Sequence, residues 1–160
     1  MKIAIGADHG GYLLKGYIVS YLKKNGHAVE DFGTYTKESC DYPKIAREVG
    51  GAVASGKFER GILICKTGLG MSVAANKIPG IRACLIENLK NARSSREHNK
   101  ANIAVFSGDR LSPKASDRLI DVWLKTEFAG GRHARRISQI EDIERDITCG
   151  KKGGAPKETE

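Results

Sequence analysis

The stretch GILICKTGLGMSVAANK, residues 61–77, decides the fold. Its apolar run Ile62–Ile64 ends at Cys65, and the loop Thr67–Gly70 leads into a helix-like segment. An apolar run bounded by glycines predicts a buried strand. A glycine loop between a strand and a helix presents backbone N–H groups that favour negative charge, and a thiol at its lip would hold more thiolate at neutral pH. The segment therefore indicates either a nucleophile or base beside an anion site, or a buried structural cysteine before an ordinary turn.

The same alternation of apolar runs and helical patterns continues in both directions along the chain. We predict strands at Lys2–Ala7, His27–Phe32, Gly61–Cys65, Ile81–Ile86 and Ile103–Phe106, and helices at Gly11–Asn25, Tyr42–Ser55, Leu69–Asn76, Asn88–Asn99, Pro113–Lys125 and Arg132–Asp146. Strands separated by helices imply right-handed βαβ units and a parallel sheet covered on both faces. The prediction is a Rossmann-like α/β fold with three layers, α, β and α, and with five parallel strands in the order 2-1-3-4-5. One domain would span residues 1–147, and residues 148–160 would form a polar, disordered tail.

Composition excludes several classes of protein. The 160 residues contain no apolar run near the roughly 20 residues that span a bilayer, and the N-terminus MKIAIGADHGG lacks the features of a signal peptide. Four widely spaced cysteines without a C-x-x-C pair argue against zinc or a disulfide framework and fit a cytoplasmic protein. The net charge of +8 allows nucleic acid as a partner. The densest basic cluster, GGRHARR at 130–136, has no aromatic residue to stack a base, so we predict neither a nucleic-acid nor a membrane partner.

Several familiar α/β motifs fail. GADHGG at residues 6–11 is not the dinucleotide fingerprint, and Tyr12 stands where a P-loop needs lysine. A small cysteine phosphatase would need arginine where Met71 stands, and no cluster of ligands suggests a metal. What remains is a set of polar residues after strand and helix ends: Asp8, His9, the Cys65–Gly70 loop, His98, Asn99, Arg132 and Arg136. Ligands of parallel sheets bind beyond the carboxyl ends of the strands, where Asp8, His9 and the Cys65 loop would converge.

Each of these residues also has a plain structural interpretation. His9 would then be a polar loop residue, and His98 would cap the last carbonyls of its helix. Arg132 and Arg136, four residues apart, would share one solvated helix face. Only their combination favours a functional site.

Six short motifs occur in an order that resembles a known family. They are ADHGG at 7–11, DYP at 41–43, C-x-TG-x-G at 65–70, AANK-x-x-GIRA at 74–83, R-x-HN at 96–99 and GGRH at 130–133. Together they resemble the type B ribose-5-phosphate isomerases and the related galactose-6-phosphate and allose-6-phosphate isomerases, over about residues 1–146. The resemblance implies an aldose–ketose isomerisation through an enediolate, in the pentose phosphate pathway and without metal or organic cofactor. It also implies a homodimer, or a dimer of dimers, whose active sites lie at the subunit interface.

The resemblance also assigns roles to individual residues. The catalytic set comprises Cys65 as the base that moves a proton between C2 and C1, Thr67 assisting at the oxygens, and His98 opening the furanose ring. The backbone of Lys66, Gly68, Gly70 and Met71 would hold the developing oxyanion. Sugar hydroxyls would contact Asp8 and Tyr42, and the phosphate would bind His9, Arg132 and Arg136, because the guanidinium fork suits a dianion. Asn99 and Arg110 would complete the site across the dimer interface.

One departure from the family pattern lies inside the key loop. The loop usually reads C-G-T-G, and here Lys66 replaces the first glycine. The lysine either points to solvent, which we favour, or enters the site and adds a charge to it. Three other readings stay open: the same chemistry on a hexose 6-phosphate, the same chemistry on a tetrose phosphate, and a non-catalytic protein that binds sugar phosphate or nucleic acid on this fold.

Overall fold

The computed structural model describes residues 1–150 as five strands alternating with helices. The elements are β1 Lys2–Ala7, α1 Tyr12–Lys24, β2 Ala28–Asp31, α2 Tyr42–Ala54, β3 Arg60–Cys65, α3 Leu69–Ala75, β4 Ala83–Leu85, α4 Leu89–Glu97, β5 Ile103–Ser107, α5 Pro113–Lys125 and α6 Arg132–Thr148. Every predicted strand and helix is present, and no end differs by more than two residues. Among the helices of residues 1–150, none is both long and apolar enough to cross a membrane.

The five strands form one parallel sheet, which confirms the predicted fold class. The observed order is β2-β1-β3-β5-β4, so the predicted order was wrong for the last two strands. The reason lies in their lengths and burial. All five residues of β5 are buried, whereas β4 has three residues, of which two are only partly buried. A strand buried on both faces belongs inside a parallel sheet, and a short, half-exposed strand suits the outermost position.

Each face of the sheet carries its own core. Ile62 and Ile64 of β3 face α1, α4 and α5, where Trp123 is fully buried. Leu63 and Cys65, which alternate with them, face α2 and α3. Ile45, Val49 and Val53, spaced by four residues on one face of α2, are all buried there. Cys65 therefore lies at the C-terminal end of β3, and its side chain is on the face of the sheet that packs against α2 and α3.

The sheet has two ends, and we name them for the direction of its strands. The carboxyl edge is the end of the sheet at which β1 and β3 finish, and the amino edge is the opposite end, at which they begin. Neither term refers to the outermost strands. Helices return antiparallel to the strands, so α4 ends at the amino edge, five residues before β5 begins at Ile103. In the register of the sheet, Cys65 lies opposite Ser107 and Gly61 opposite Ile103. Four residues of strand, roughly 13 Å at about 3.3 Å each, therefore separate the two edges.

A buried ion pair that the sequence analysis did not predict stabilises the carboxyl edge. Lys15, in the first turn of α1, is 2 % exposed. Its Nζ lies 2.6 and 2.7 Å from the two carboxylate oxygens of Asp31, and donates to the Thr34 carbonyl at 2.7 Å. A buried ammonium needs such partners because removing it from water is costly. The pair therefore ties α1 to the end of β2.

The last helix packs at the amino edge. Ile137 of α6 is buried, the Gly80 amide donates to Glu144 at 2.9 Å, and Arg82 pairs with Glu141 at 3.7 Å. Further along α6, Ile140, Ile143 and Ile147 are exposed. The helix continues to Thr148, two residues beyond its predicted end. Most of the predicted tail, residues 151–160, lies outside the described residues, so the tail and the domain boundary stay predictions.

Candidate active site

Cys65 is the last residue of β3 and is 4 % exposed. The chain turns back immediately after it, so that the Gly68 amide donates to Cys65 Sγ at 3.2 Å. Gly68 has φ +81°, and a Cβ there would lie 2.4 Å from Leu85 Cδ1. Glycine is therefore favoured at this position by its backbone angle, and a Cβ would also require the Leu85 side chain to move. The Cys65 sulfur is therefore held at the loop by a backbone donor.

The loop amides are divided between the loop itself and a site for a ligand. The amide of Leu69 donates to Thr67 Oγ1 at 3.3 Å, and the first hydrogen bond inside α3 runs from Ser72 to the Gly68 carbonyl. The amides of Gly70 and Met71, in the first turn, have no acceptor within the helix because none precedes them. Several of these amides were predicted to hold an oxyanion. The Gly68 amide donates to the Cys65 sulfur instead, whereas the amides of Gly70 and Met71 have no acceptor within the helix.

The loop after β1 lies against the Cys65 loop, as the sequence analysis expected. Asp8 is 5 % exposed, and its Oδ1 accepts hydrogen bonds from the amides of Gly10 and Gly11 at 2.9 and 3.1 Å. The Asp8 amide donates to the Ile64 carbonyl at 3.1 Å. A Cβ on Gly10 would lie 3.0 Å from Lys66 Cα, so the two loops are in direct contact. These bonds fix the Asp8 carboxylate in the loop after β1, which lies against the Cys65 loop.

His9 and Tyr42 border the same loops. His9 Nδ1 accepts the Cys40 amide at 3.4 Å, which directs the other ring nitrogen away from that contact. The ring of Tyr42, at the start of α2, packs over Gly70 so closely that a Cβ there would lie 2.7 Å from Cζ. Tyr42 is therefore next to the loop, as predicted, and Gly70 leaves room for its ring.

The remaining predicted residues of the carboxyl edge are Lys66 and Arg110. The Lys66 carbonyl accepts Ser107 Oγ at 2.8 Å and the Asp109 amide at 3.1 Å, so its backbone is fixed by the end of β5. Its φ is not positive, since Lys100 is the one non-glycine residue with positive φ among residues 1–150. The usual glycine is therefore not required here for its backbone angle, and the Lys66 side chain is exposed. Arg110 is exposed at the same edge and lies 3.2 Å from Glu87.

A second group of predicted residues lies at the amino edge. His98 is the C-cap of α4, and its ring stacks on that of His133, with centroids 4.3 Å apart and an interplanar angle of 5°. Arg132 precedes His133 in the first turn of α6, and Arg136 follows one turn later; both are exposed. Partial burial lowers the pKa of His133, and the nearby positive charges of His98, Arg132 and Arg136 lower it further.

His133 is the residue that the sequence analysis quoted in a motif without giving it a role. The motif GGRH marks its position, but nothing in the sequence places its ring on His98, which lies 35 positions earlier. The contact depends on the Ala129 amide, which donates to the Glu97 carbonyl at 3.0 Å and so joins the start of α6 to the end of α4.

The predicted site residues thus form two clusters within one chain. The carboxyl-edge cluster consists of Asp8, His9, Tyr42, Cys65, Lys66, Thr67, Gly68, Gly70, Met71 and Arg110. The amino-edge cluster consists of His98, Asn99, Arg132 and Arg136. The length of the sheet separates the two, roughly 13 Å along the strands, so one chain does not bring Cys65 and His98 together.

Two cavities among residues 1–150 do not unite the clusters either. One of about 790 Å³ lies between α4 and α5, where Leu89, Arg93 and Phe128 line it. Another of about 500 Å³ lies beside Tyr35 and Cys40. Neither is lined by Cys65 or His98. Among residues 1–150 no group of three His, Cys, Asp or Glu side chains is arranged to hold a metal ion.

The chain is similar in sequence and in structure to known proteins. The ribose/galactose isomerase family model matches residues 3–140. The chain is 43 % identical over 143 residues to ribose-5-phosphate isomerase B of Escherichia coli K12, covering 89 % of this chain and 96 % of that one. It is 37 % identical over 141 residues to a D-erythrulose-4-phosphate isomerase of Pectobacterium atrosepticum, covering 88 % and 93 %. The structure of Clostridium thermocellum ribose-5-phosphate isomerase B superposes with a TM-score of 0.90 at 52 % identity, covering 92 % and 99 %.

Proposed function

The chain belongs to the ribose/galactose isomerase family and is a sugar-phosphate isomerase, and on that premise we propose that it interconverts ribose 5-phosphate and ribulose 5-phosphate. The observation that carries the proposal is the Cys65 loop. A buried sulfur accepts a backbone amide at 3.2 Å, and the adjoining loops carry the Asp8 carboxylate and the amides of Gly70 and Met71, which have no acceptor within α3. That combination suits a base acting next to a developing oxyanion.

In the proposed reaction, the Cys65 thiolate removes the proton from C2 of the open-chain aldose. The electrons of the C–H bond form the C1–C2 double bond, and the carbonyl electrons move to O1, which gives an enediolate. The amides of Gly70 and Met71 hold the negative oxygen, and Thr67 helps to move the proton from O2 to O1. Cys65 then returns its proton to C1, and the ketose results. Donors fixed before the reaction stabilise the enediolate without the cost of reorganising water.

The other residues bind the substrate and prepare it. His98 opens the furanose ring by giving a proton to the ring oxygen as the C1–O4 bond breaks, while the anomeric hydroxyl gives its proton to water and becomes the C1 carbonyl. Asp8 accepts hydrogen bonds from sugar hydroxyls. His9, Arg132 and Arg136 hold the phosphate, for which the guanidinium fork is well shaped. His9 belongs to the carboxyl-edge cluster and the arginines to the other, so the phosphate would lie where the two clusters meet.

Two copies of the chain would supply both clusters to one site. In a two-fold symmetric dimer, the carboxyl-edge cluster of each copy faces the amino-edge cluster of the other, and two equal sites result. The exposed apolar side chains support this arrangement. Leu69 and Val73 of α3, 61 % and 63 % exposed, follow the Cys65 loop, and Ile143 and Ile147 of α6, 59 % and 71 % exposed, lie beyond Arg136. A second copy that covers both patches would remove apolar surface from water.

Subunit complementation tests the shared site. Cys65→Ala and His98→Asn chains are each expected to be inactive on ribose 5-phosphate alone. When equal amounts are unfolded together and refolded, half of the dimers are mixed, and each has one intact site. The mixture should therefore regain about a quarter of the wild-type rate. Two His98→Asn preparations refolded together are the control. If the mixture regains nothing although mixed dimers form, the site lies within one chain.

The substrate is tested separately from the mechanism. One more hydroxymethyl group on a sugar changes binding by only about 1–3 kcal/mol, so close relatives can differ in preference. The erythrulose-phosphate relative makes a tetrose phosphate a specific second candidate. The assay compares kcat/KM for erythrose 4-phosphate, ribose 5-phosphate, and allose and galactose 6-phosphates. A kcat/KM highest for ribose 5-phosphate is expected, and a higher value for another sugar would move the proposal to that sugar.

A further inference from the structure

The ring of His98 is held by a single type of contact. The residue is exposed at the end of α4, and its amide donates to the Ser94 carbonyl at 2.9 Å, which fixes the backbone only. Within residues 1–150 no hydrogen bond reaches the His98 ring, whereas His133 stacks flat against it at 4.3 Å. A ring at a helix end without partners would rotate freely about its side-chain bonds. The stacked ring of His133 is therefore what restricts the plane of His98.

The chain brings His133 to this place by a sharp turn. Gly130 and Gly131 have φ of +66° and +55°, and the His133 amide donates to the Gly130 carbonyl at 3.0 Å. Both backbone angles favour glycine. The preceding Ala129 is hydrogen-bonded to Glu97, so the turn begins at the end of α4. It brings His133 back onto that end of the helix.

We propose that His133 is a positioning residue that holds the imidazole of His98 in the plane required for opening the furanose ring. The inference rests on the ring-opening role proposed above for His98. The charged groups around the pair are Arg132 and Arg136 from α6 and Glu97 from α4. Partial burial lowers the pKa of His133, and the positive charges of His98, Arg132 and Arg136 lower it further against the opposing charge of Glu97, so its ring is neutral at neutral pH. A neutral ring stacks on His98 in either protonation state, whereas two positive rings would repel each other.

The substrates themselves separate ring opening from proton transfer. Ribose 5-phosphate closes to a furanose through O4. Ribulose 5-phosphate has its carbonyl at C2 and its O5 esterified to phosphate, so it does not form a five-membered ring and is open-chain in water. Exchange of a C1 proton of ribulose 5-phosphate with solvent deuterium thus requires Cys65 but no ring opening. Loss of a residue that positions His98 would therefore slow the turnover of ribose 5-phosphate and leave this exchange unchanged.

The test compares His133→Leu with His133→Phe in the full-length protein. Leucine removes the flat ring, and phenylalanine keeps it. We expect kcat for ribose 5-phosphate to fall about ten- to a hundredfold in His133→Leu, the size typical of a misplaced catalytic group. The KM and the rate of deuterium exchange into ribulose 5-phosphate should stay within about twofold of wild type. His133→Phe should recover most of the lost kcat. Arg135→Leu, an exposed neighbour, is the control and should change neither reaction.

Four results would overturn the proposal. An unchanged kcat in His133→Leu shows that stacking is not needed. An equal fall in ring-dependent turnover and deuterium exchange, or no recovery in His133→Phe, shows a general structural role. A KM raised for both sugars shows a phosphate ligand instead. His98→Asn is measured beside them. If His98→Asn retains turnover of ribose 5-phosphate, the proposed role of His98 fails and the inference fails with it. If His98→Asn is inactive while His133→Leu is fully active, only the inference fails.

Discussion

The two edges of the sheet are built in different ways. At the carboxyl edge, Cys65 and Asp8 are about 5 % exposed, and backbone amides at 2.9 to 3.2 Å fix the sulfur and one carboxylate oxygen. At the amino edge, His98 and both arginines are exposed on helix ends, and one ring stack is the main contact. Strand ends inside a sheet are restrained by neighbours on both sides, whereas helix ends open easily. The comparison teaches that the half of the site proposed to carry the proton transfer is buried and fixed by backbone hydrogen bonds, whereas the other half lies exposed on helices.

The largest effect should follow from removing the sulfur at the carboxyl edge. Cys65→Ala should lower kcat about 10²- to 10⁴-fold for every sugar phosphate that the protein accepts, because no nearby group replaces the base. Deuterium exchange at C1 of ribulose 5-phosphate should fall equally. Cys84→Ala, a partly buried cysteine on β4, is the matched control and should stay within about threefold of wild type. Near-normal exchange in Cys65→Ala would assign the base to another residue.

The next largest effect concerns the stability of the carboxyl edge. Asp31→Ala leaves the ammonium of Lys15, 2 % exposed, without its carboxylate. We expect the free energy of unfolding to fall by about 2–4 kcal/mol, less than for a fully enclosed pair because Asp31 is 30 % exposed. Urea denaturation measures it. Asp142→Ala removes the exposed partner of Arg145 and should cost under about 1 kcal/mol. Equal costs for the two variants would mean that the pair does not hold this edge.

A smaller effect is expected at the amino edge, on binding rather than on the chemical step. Arg136→Lys keeps the charge and loses the planar fork, so KM for ribose 5-phosphate should rise about tenfold while kcat changes little. Arg135→Lys, the adjacent exposed arginine, should leave KM within about twofold of wild type, because a lysine keeps its charge. Steady-state kinetics with both variants decides between a phosphate ligand and a solvated helix face. The assignment of Arg136 is lost if the two variants have the same KM.

The smallest effect is expected for the lysine inside the key loop. The Lys66 side chain is exposed, and its backbone angle does not require glycine. Lys66→Gly and Lys66→Gln should both stay within about threefold of wild type in kcat/KM, and the residual difference should shrink in high salt, since an exposed charge is screened. A fall of more than about tenfold in both variants would show that the ammonium enters the site when substrate binds.

The predictions from sequence were most accurate where local pattern decides structure. The eleven elements follow from apolar periodicity and from punctuation by glycine and proline, and these act over a few residues. The convergence of Asp8 with the Cys65 loop followed from one topological rule, and the contact of Gly10 with Lys66 confirms it. The roles assigned to Cys65, Thr67 and the arginines stay predictions until the variants are measured.

The errors and omissions share one cause. The order of β4 and β5, the ion pair of Lys15 with Asp31, and the stack of His98 on His133 all join segments that are distant in sequence. A lysine on an amphipathic helix predicts a solvated side chain, and only the end of β2 beside it makes burial possible. Likewise, the order of the six motifs does not say which end of the sheet each residue reaches, so the division of the predicted site residues into two clusters follows only from the structure.

The sequence by itself determined the α/β architecture, the glycine loop behind Cys65 and the family, because periodicity, backbone freedom and motif order are properties of short segments. Only the tertiary structure decided that β5 is central, that Lys15 is buried, and that His98 lies one sheet length from Cys65. The physical reason is that a parallel sheet sends every strand one way and every helix back. Residues after strands and residues after helices therefore arrive at opposite edges, however close their motifs stand in the sequence.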